Sequence, residues 1–313
     1  MAESAPLSRR EWLMAAAGTA AALSLHSSAT AADKGAEHPW IDGHSHVWSP
    51  DTAKWPLNGK LTKADLDPPS FTPEELLAQA HPQRVGRVVL IQHHIYHGWD
   101  NSYLIDCAAR FPGTFAVTAM LDDTQPSPGE KMKPLREQGV RAFRITSLIR
   151  KEQWLTGDGM ASMWKTGAET GQAMACLINP SDLPAVAAMC VKHPGTPVVI
   201  DHFARIGADG EIRPSDLKNL LALAKHKNTY AKLSAFYALG KKQAPYEDLL
   251  PMIRQVLTAF GPERCLWASD APYQVVGGHS YAASVALLRD RAGLSAGDQE
   301  HVFRKTAEKV YFS

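Results

Sequence analysis

The chain is poor in cysteine, in net charge and in long apolar runs, and each shortage closes off a class of protein. Cys107, Cys176, Cys190 and Cys265 lie far apart with no C-x-x-C pair, so neither a zinc ribbon nor a dithiol redox centre is encoded. Set within apolar stretches, they read as small buried hydrophobes with free thiols. Lys and Arg number 33 against 32 Asp and Glu, leaving no basic field for nucleic acid or an anionic membrane surface. No strand-like run is followed by a G-x-G-x-x-G turn, which sets aside a nicotinamide enzyme. Internal repeats and low-complexity linkers are also missing. What remains is an ordinary globular composition, 45% hydrophobic and 21% charged over 313 residues, with a small molecule as the expected partner.

The N-terminal stretch reads differently. Ser8-Arg9-Arg10-Glu11-Trp12-Leu13 precedes an Ala-rich apolar run from Met14 to Leu25 and a small-residue Ala29-Thr30-Ala31 cleavage site. Residues 1–32 are therefore expected to be an export signal, and 33–313 a single domain. The paired arginines resemble a bacterial twin-arginine signal, which implies a periplasmic mature protein. The apolar run falls well short of the roughly 20 residues that span a bilayer. An oxidising compartment would permit a bridge such as Cys176 to Cys265, although a core of this size does not need one.

Beyond the leader, short apolar or β-branched runs alternate with amphipathic stretches, the rhythm of a parallel sheet with helices outside it. Eight runs stand out: Trp40–Asp42, Arg87–Gln92, Phe115–Leu121, Val140–Ile145, Ala173–Ile178, Pro197–Asp201, Thr229–Leu233 and Arg264–Ala268. Eight strands predict closure into a (β/α)8 TIM barrel, an α/β fold that commonly needs about 250 residues. Thr72-Pro73-Glu74-Glu75 and Pro214-Ser215-Asp216 are helix starts, Gly261-Pro262 a helix stop, and Ser295 with Asp298 a capping box. The long non-periodic stretch 47–70 follows the first strand, where a barrel enzyme keeps a substrate-facing loop.

Asp42-Gly43-His44-Ser45-His46 lies at the C-terminal end of the first run, and a period of two sends His44 and His46 to one face at the barrel mouth. His202 ends the sixth run and Asp270 the eighth. Singly, each has a plainer reading: a hydrogen-bonded His pair, a structural His, a capping Asp. Together, at the ends of strands that meet on closure, they suit a divalent ion such as Zn²⁺ or Mn²⁺, with Asp270 as general base.

Those residues stand in blocks that resemble a known group. Ile41-Asp42-Gly43-His44-Ser45-His46-Val47-Trp48, Phe71 to Leu77, Val88 to Gln92, Gly139 to Arg144, Val199-Ile200-Asp201-His202, Lys232-Leu233-Ser234, and Phe260 to Arg264 followed by Ser269-Asp270 are similar to the second amidohydrolase family of metal-dependent hydrolases, lactonase-like branch. The resemblance covers nearly all of the chain after the leader. It implies an amidohydrolase-type barrel whose active-site positions fall on His44, His46, His202 and Asp270, and an activity among those of lactonases or, more distantly, aromatic-acid decarboxylases. It also places Arg144 against a substrate carboxylate or developing oxyanion; the alternative is a salt bridge to a neighbouring strand. One departure stands out: metal-dependent members usually carry a His at the end of the fifth strand, where this chain has Asn179. Asn is the poorer ligand, and some lactonase members look metal-independent.

Secondary candidates are His93, His94 and His97 after the second strand, as pocket residues or a solvated loop cluster, Asn179 and Tyr237 at the mouth, and Trp48 and Trp55 in the first loop, which either stack on a ring or lid the core. Lys232 is read as a structural ion pair. Three functions follow: lactone hydrolysis with water activated at Asp270, metal-dependent non-oxidative decarboxylation, and small-molecule binding without turnover. Asn179 counts against the second, and retention of Asp270 with the His pair against the third.

Overall fold

A computed structural model describes residues 37–313. The expected export signal, 1–32, lies outside them. Eight parallel strands run in chain order: β1 (Trp40–Ser45), β2 (Val85–Ile91), β3 (Phe115–Ala119), β4 (Val140–Thr146), β5 (Ala173–Leu177), β6 (Val198–Ile200), β7 (Thr229–Leu233) and β8 (Cys265–Trp267). Each is followed by an outer helix: α1 (Pro73–Ala80), α2 (Ser102–Arg110), α3 (Pro128–Glu137), α4 (Asp158–Thr170), α5 (Leu183–Lys192), α6 (Pro214–Ala222), α7 (Leu250–Phe260) and α8 (Tyr281–Ala286). The β1–β8 seam closes through Asp270 N–H to the His44 carbonyl at 2.8 Å and His46 N–H to the Ala271 carbonyl at 2.7 Å. The chain is a (β/α)8 barrel.

Strands buried on both faces need apolar residues on both, which is why they appear as nearly unbroken hydrophobic runs. Val89, Ile91, Ala142, Ala175, Val199 and Leu266 fill the barrel interior. Their neighbours Val88, Leu90, Phe143, Met174 and Cys176 pack outward against the helices. Thr72 caps α1 by accepting from Glu75 N–H, and Ser295 caps the helix at Ala296–Glu300 by accepting from Asp298 N–H. A 3-10 turn at Glu247–Leu249 leads into α7. The final helix, α9 (Thr306–Tyr311), brings Tyr311 into the interior cluster at the N-terminal ends of the strands. All four cysteines are buried and free, so no Cys176 to Cys265 bridge forms.

Candidate active site

At the opposite, C-terminal ends of the strands, four elements bring one side chain or a pair to a common point. The first is irregular. Ile41 faces the interior, and strict alternation would turn His44 outward, but the β1–β2 register shifts between Asp42 and Ser45. That irregularity re-aims His44 into the barrel, as bulges beside active sites do. Gly43 permits it: a Cβ there would lie 2.9 Å from Leu266 Cδ1 and 3.0 Å from the Trp267 carbonyl. Asp42, on the outer side, ties the seam by accepting from Ser45 Oγ at 2.8 Å, Ser269 N–H at 2.9 Å and Tyr281 OH at 2.7 Å.

His202 reaches the same point by a different device. Val199 points inward, so Asp201 does too and His202 would face out. Instead the chain enters a left-handed turn, with His202, Phe203 and Ala204 at φ 53°, 52° and 54°. Asp270 also adopts a positive φ, 64°. Such conformations are costly for residues with a Cβ and cluster where a site needs a particular direction.

The result is a compact cluster. His44 Nε2 lies 3.4 Å from His46 Nε2 and 3.3 Å from Asp270 Oδ1, and His46 Nε2 lies 3.4 Å from the same oxygen. His202 Nε2 sits 3.8 Å from Asp270 Oδ2, which accepts from Tyr237 OH at 2.7 Å. Beneath them, Asp201 binds Lys232 Nζ at 2.9 Å and Arg144 Nη2 at 3.3 Å. Arg144 Nη2 also donates to His44 Nε2 at 2.8 Å, while Lys232 Nζ lies 3.2 Å from His44 Nδ1. His93 Nε2 and Tyr273 OH share a hydrogen bond of 2.7 Å.

Protonation follows from burial and from these charges. Burial, reinforced by Lys232 and His202, holds His44 well below the ordinary imidazole range. Burial and Arg144 take His46 down to about 3, and burial lowers His202. Each of these shifts favours the neutral ring. Burial pushes Asp270 up, opposed by His202 and the Tyr237 hydrogen bond. Burial alone would raise Asp201 as well, but Lys232, His44 and Arg144 together hold it well below the usual carboxylate range.

The donors fit a divalent ion. The His46 Nδ1 contact with the Ile91 carbonyl, 2.9 Å, requires a proton on Nδ1 and leaves Nε2 with its lone pair toward the cluster. His202 Nδ1 is likewise engaged by Ser234 Oγ at 2.8 Å. Ligand His residues are ordinarily oriented this way through their second nitrogen. A tetrahedral site with ligands at about 2.0–2.1 Å has donor-to-donor edges of about 3.3–3.4 Å, the spacing His44, His46 and Asp270 already hold. Among the described residues two sets of side chains can hold a metal: His44, His46 and Asp270, and His44, Asp201 and His202. Arg144 faces the same His44 lone pair, so ligation requires its guanidinium to release that bond.

A cavity of roughly 610 Å³ opens above the cluster, lined by His46, His93, Arg144, His202, Tyr237, Asp270 and Tyr273 among others. Thus the structure brings together His44, His46, His202, Asp270 and Arg144, and gathers Tyr237, His93 and His94 around them. Two expectations, for Asn179 and His97, are corrected, and the choice left open for the tryptophans is decided. Asn179 does not line the cavity; its Oδ1 accepts from Arg205 Nη1 at 3.2 Å. Of the two readings of the tryptophans the core-covering one holds: Trp48 is fully buried, its indole N–H bound to the Pro68 carbonyl, and Trp55 packs on Tyr103. His97 is buried away from the cavity. Asp201 and Tyr273 went unassigned, although the period of two from Val199 was enough to turn Asp201 inward.

A model of the amidohydrolase family matches residues 41–312. An L-fucono-1,5-lactonase from Burkholderia ambifaria is 26% identical over 283 residues, covering 84% of this chain and 95% of that protein. A 4-sulfomuconolactone hydrolase from Rhizobium radiobacter is 27% identical over 235 residues, 74% of this chain and 75% of that one. Among solved structures, an amidohydrolase from Burkholderia multivorans with bound Zn superposes with a TM-score of 0.74 at 23% identity, over 87% of this chain and 99% of that one.

Proposed function

The chain belongs to the amidohydrolase family, and from that premise we propose that it hydrolyses a lactone of a small organic acid, with water activated by Asp270. The observation that carries this reading is the position of Asp270: among the described residues the single acidic one lining the cavity, buried, facing His46 and His202 and held by Tyr237. A carboxylate so placed accepts a proton from water as the oxygen attacks the ring carbonyl. As the ring C–O bond breaks, it returns that proton to the departing alkoxide, giving the open hydroxy acid. Arg144, aimed into the cavity, stabilises negative charge on the carbonyl oxygen. The lactone-hydrolysing relatives from Burkholderia and Rhizobium support the reaction class.

His44, His46 and Asp270, with His202 across from them, would hold a divalent metal, and the solved Burkholderia multivorans amidohydrolase contains bound Zn. Such an ion supplies Lewis acidity toward the ester carbonyl and the water. Location belongs to the same proposal: residues 1–32 direct export to the periplasm, and mass spectrometry of the mature N-terminus from a periplasmic fraction tests it.

The decisive experiment pairs lactone hydrolysis by Asp270→Asn with metal analysis of the wild type before and after chelation. A fall in kcat of roughly 10²–10⁴ in the variant is expected for loss of a general base. Unchanged hydrolysis would sink the mechanism. About one equivalent of metal with chelator-sensitive activity assigns the cluster as a metal centre; full activity without metal assigns it as a polarising site.

A further inference from the structure

Charge bookkeeping in the cavity leaves two cations over. At its floor Arg144 and Lys232 both pair with Asp201, and Asp270 adds a second negative charge to the same network. Nearer the mouth, Arg205 and Lys242 also line the wall, and among the described residues no carboxylate lies within ion-pair distance of either. Nearby Arg213, by contrast, is paired with both Asp209 and Glu211 at 2.7 and 2.8 Å.

Arg205 is moreover held in place. It ends the left-handed turn after β6, at φ 60°, and its Nη1 donates to Asn179 Oδ1 at 3.2 Å. Asn179 is itself fixed, its N–H bound to Asp182 Oδ2 at 3.0 Å, and that oxygen accepts from Ser147 Oγ at 2.6 Å. A neutral amide orients a guanidinium without cancelling its charge; an aspartate at the same place would form an ion pair and silence it. Part of the remaining wall is apolar, including Leu148, Ile149, Leu177 and Leu239.

We propose that Arg205 and Lys242 form an anion subsite, positioned by Asn179, and that the lactone this cavity takes carries a carboxylate or sulfonate remote from the ester on an otherwise apolar frame. The proposal rests on the lactone-hydrolase reading for its substrate, though not for the binding of the anion. Asn179 acts as a positioning residue, and Arg205 and Lys242 determine specificity.

The test measures kcat/KM for γ-butyrolactone and an analogue carrying a terminal carboxylate on an alkyl chain attached to the ring, in the wild type and in Arg205→Ala, Arg205→Lys, Lys242→Ala, Asn179→Ala and Asn179→Asp, each checked for folding by thermal melting. The preference for the carboxylated lactone falls about tenfold in Arg205→Ala, mostly through KM, as expected for one charge-assisted bidentate contact. Arg205→Lys recovers part of it. Asn179→Asp loses more than Asn179→Ala, since the carboxylate neutralises Arg205 where the alanine only frees it. Calorimetric titration with glutarate reads the subsite independently of turnover. Glutarate binding that weakens in Arg205→Ala, in a protein that cleaves neither lactone, removes the hydrolase reading and keeps the subsite. An unchanged preference in the Arg205 and Lys242 variants, or glutarate affinity equal to wild type in them, overturns the subsite.

Discussion

Three buried charges beneath the catalytic cluster do structural and chemical work together. Lys232 is fully buried, yet its ammonium lies 2.9 Å from Asp201 and 3.2 Å from His44. Removing one partner of a buried ion pair leaves the other desolvated and uncompensated, at a cost of about 3–5 kcal/mol. Lys232→Met is expected to lose stability of that order in urea unfolding. Asp270 is tuned by a neighbour in a second way. Burial raises its pKa above 3.8, and the Tyr237 hydrogen bond pulls it back. The base works as the carboxylate, so activity rises as pH climbs through this pKa. Deleting the hydroxyl in Tyr237→Phe removes a lowering contribution, and the acid limb of the kcat profile moves to higher pH. A limb that stays still or moves down would exclude Tyr237 from this role.

At the scale of single strands and turns, alternation explains some site residues and fails at others for a definite reason. From the interior residues Ala142, Val199, Tyr230 and Leu266, counting in twos along the chain reaches Arg144, Asp201, Lys232 and Asp270, all of which point inward. His44 and His202 break the count. The first depends on the register shift in β1, signalled only by Gly43 beside it, and the second on the left-handed turn after β6, in which none of His202, Phe203 and Ala204 is a glycine. The His44 and His46 pairing was therefore legible as a motif, although simple periodicity from Ile41 would have sent His44 the other way. Ala204, at φ 54° in that turn, carries strain with no role in the cavity. Ala204→Gly is expected to relieve roughly 1 kcal/mol, offset in about half by the added chain entropy of glycine, which would raise Tm by about one degree on calorimetric scanning. A lower Tm would mean that the turn is not strained.

Across the whole molecule, the C-terminal helix closes the end of the barrel remote from the cavity. Tyr311 of α9 packs among Ile41, Val89, Ala142 and Val199, with Lys232 Nζ 5.5 Å from its ring centroid. The ring thus links the barrel's floor to the charge network under His44. Its hydroxyl is buried without a hydrogen-bond partner. Truncation in Tyr311→Ala is expected to cost about 3–5 kcal/mol, as for other buried aromatic rings. Tyr311→Phe keeps the ring and discards the unsatisfied hydroxyl, so its stability should equal or exceed wild type. Denaturant midpoints of the two variants separate these effects, and a large loss in the phenylalanine variant would show that the hydroxyl is satisfied.

The eight apolar runs, their alternation with helices and the chemistry-bearing residues at their ends were determined by the sequence alone, because backbone periodicity, capping and side-chain burial are local. The runs anticipated the strands to within a few residues, and His44, His46, His202 and Asp270 were already the candidates. Only tertiary structure decided how those side chains face one another. The seam joins Asp42 to Ser269 across 227 residues, Arg144 reaches His44 across 100, and Asn179 turns to Arg205 rather than to the cavity. A donor's direction, a ring's free nitrogen and a cation left without its counter-charge depend on partners that come close only when the barrel closes, and no local pattern specifies them.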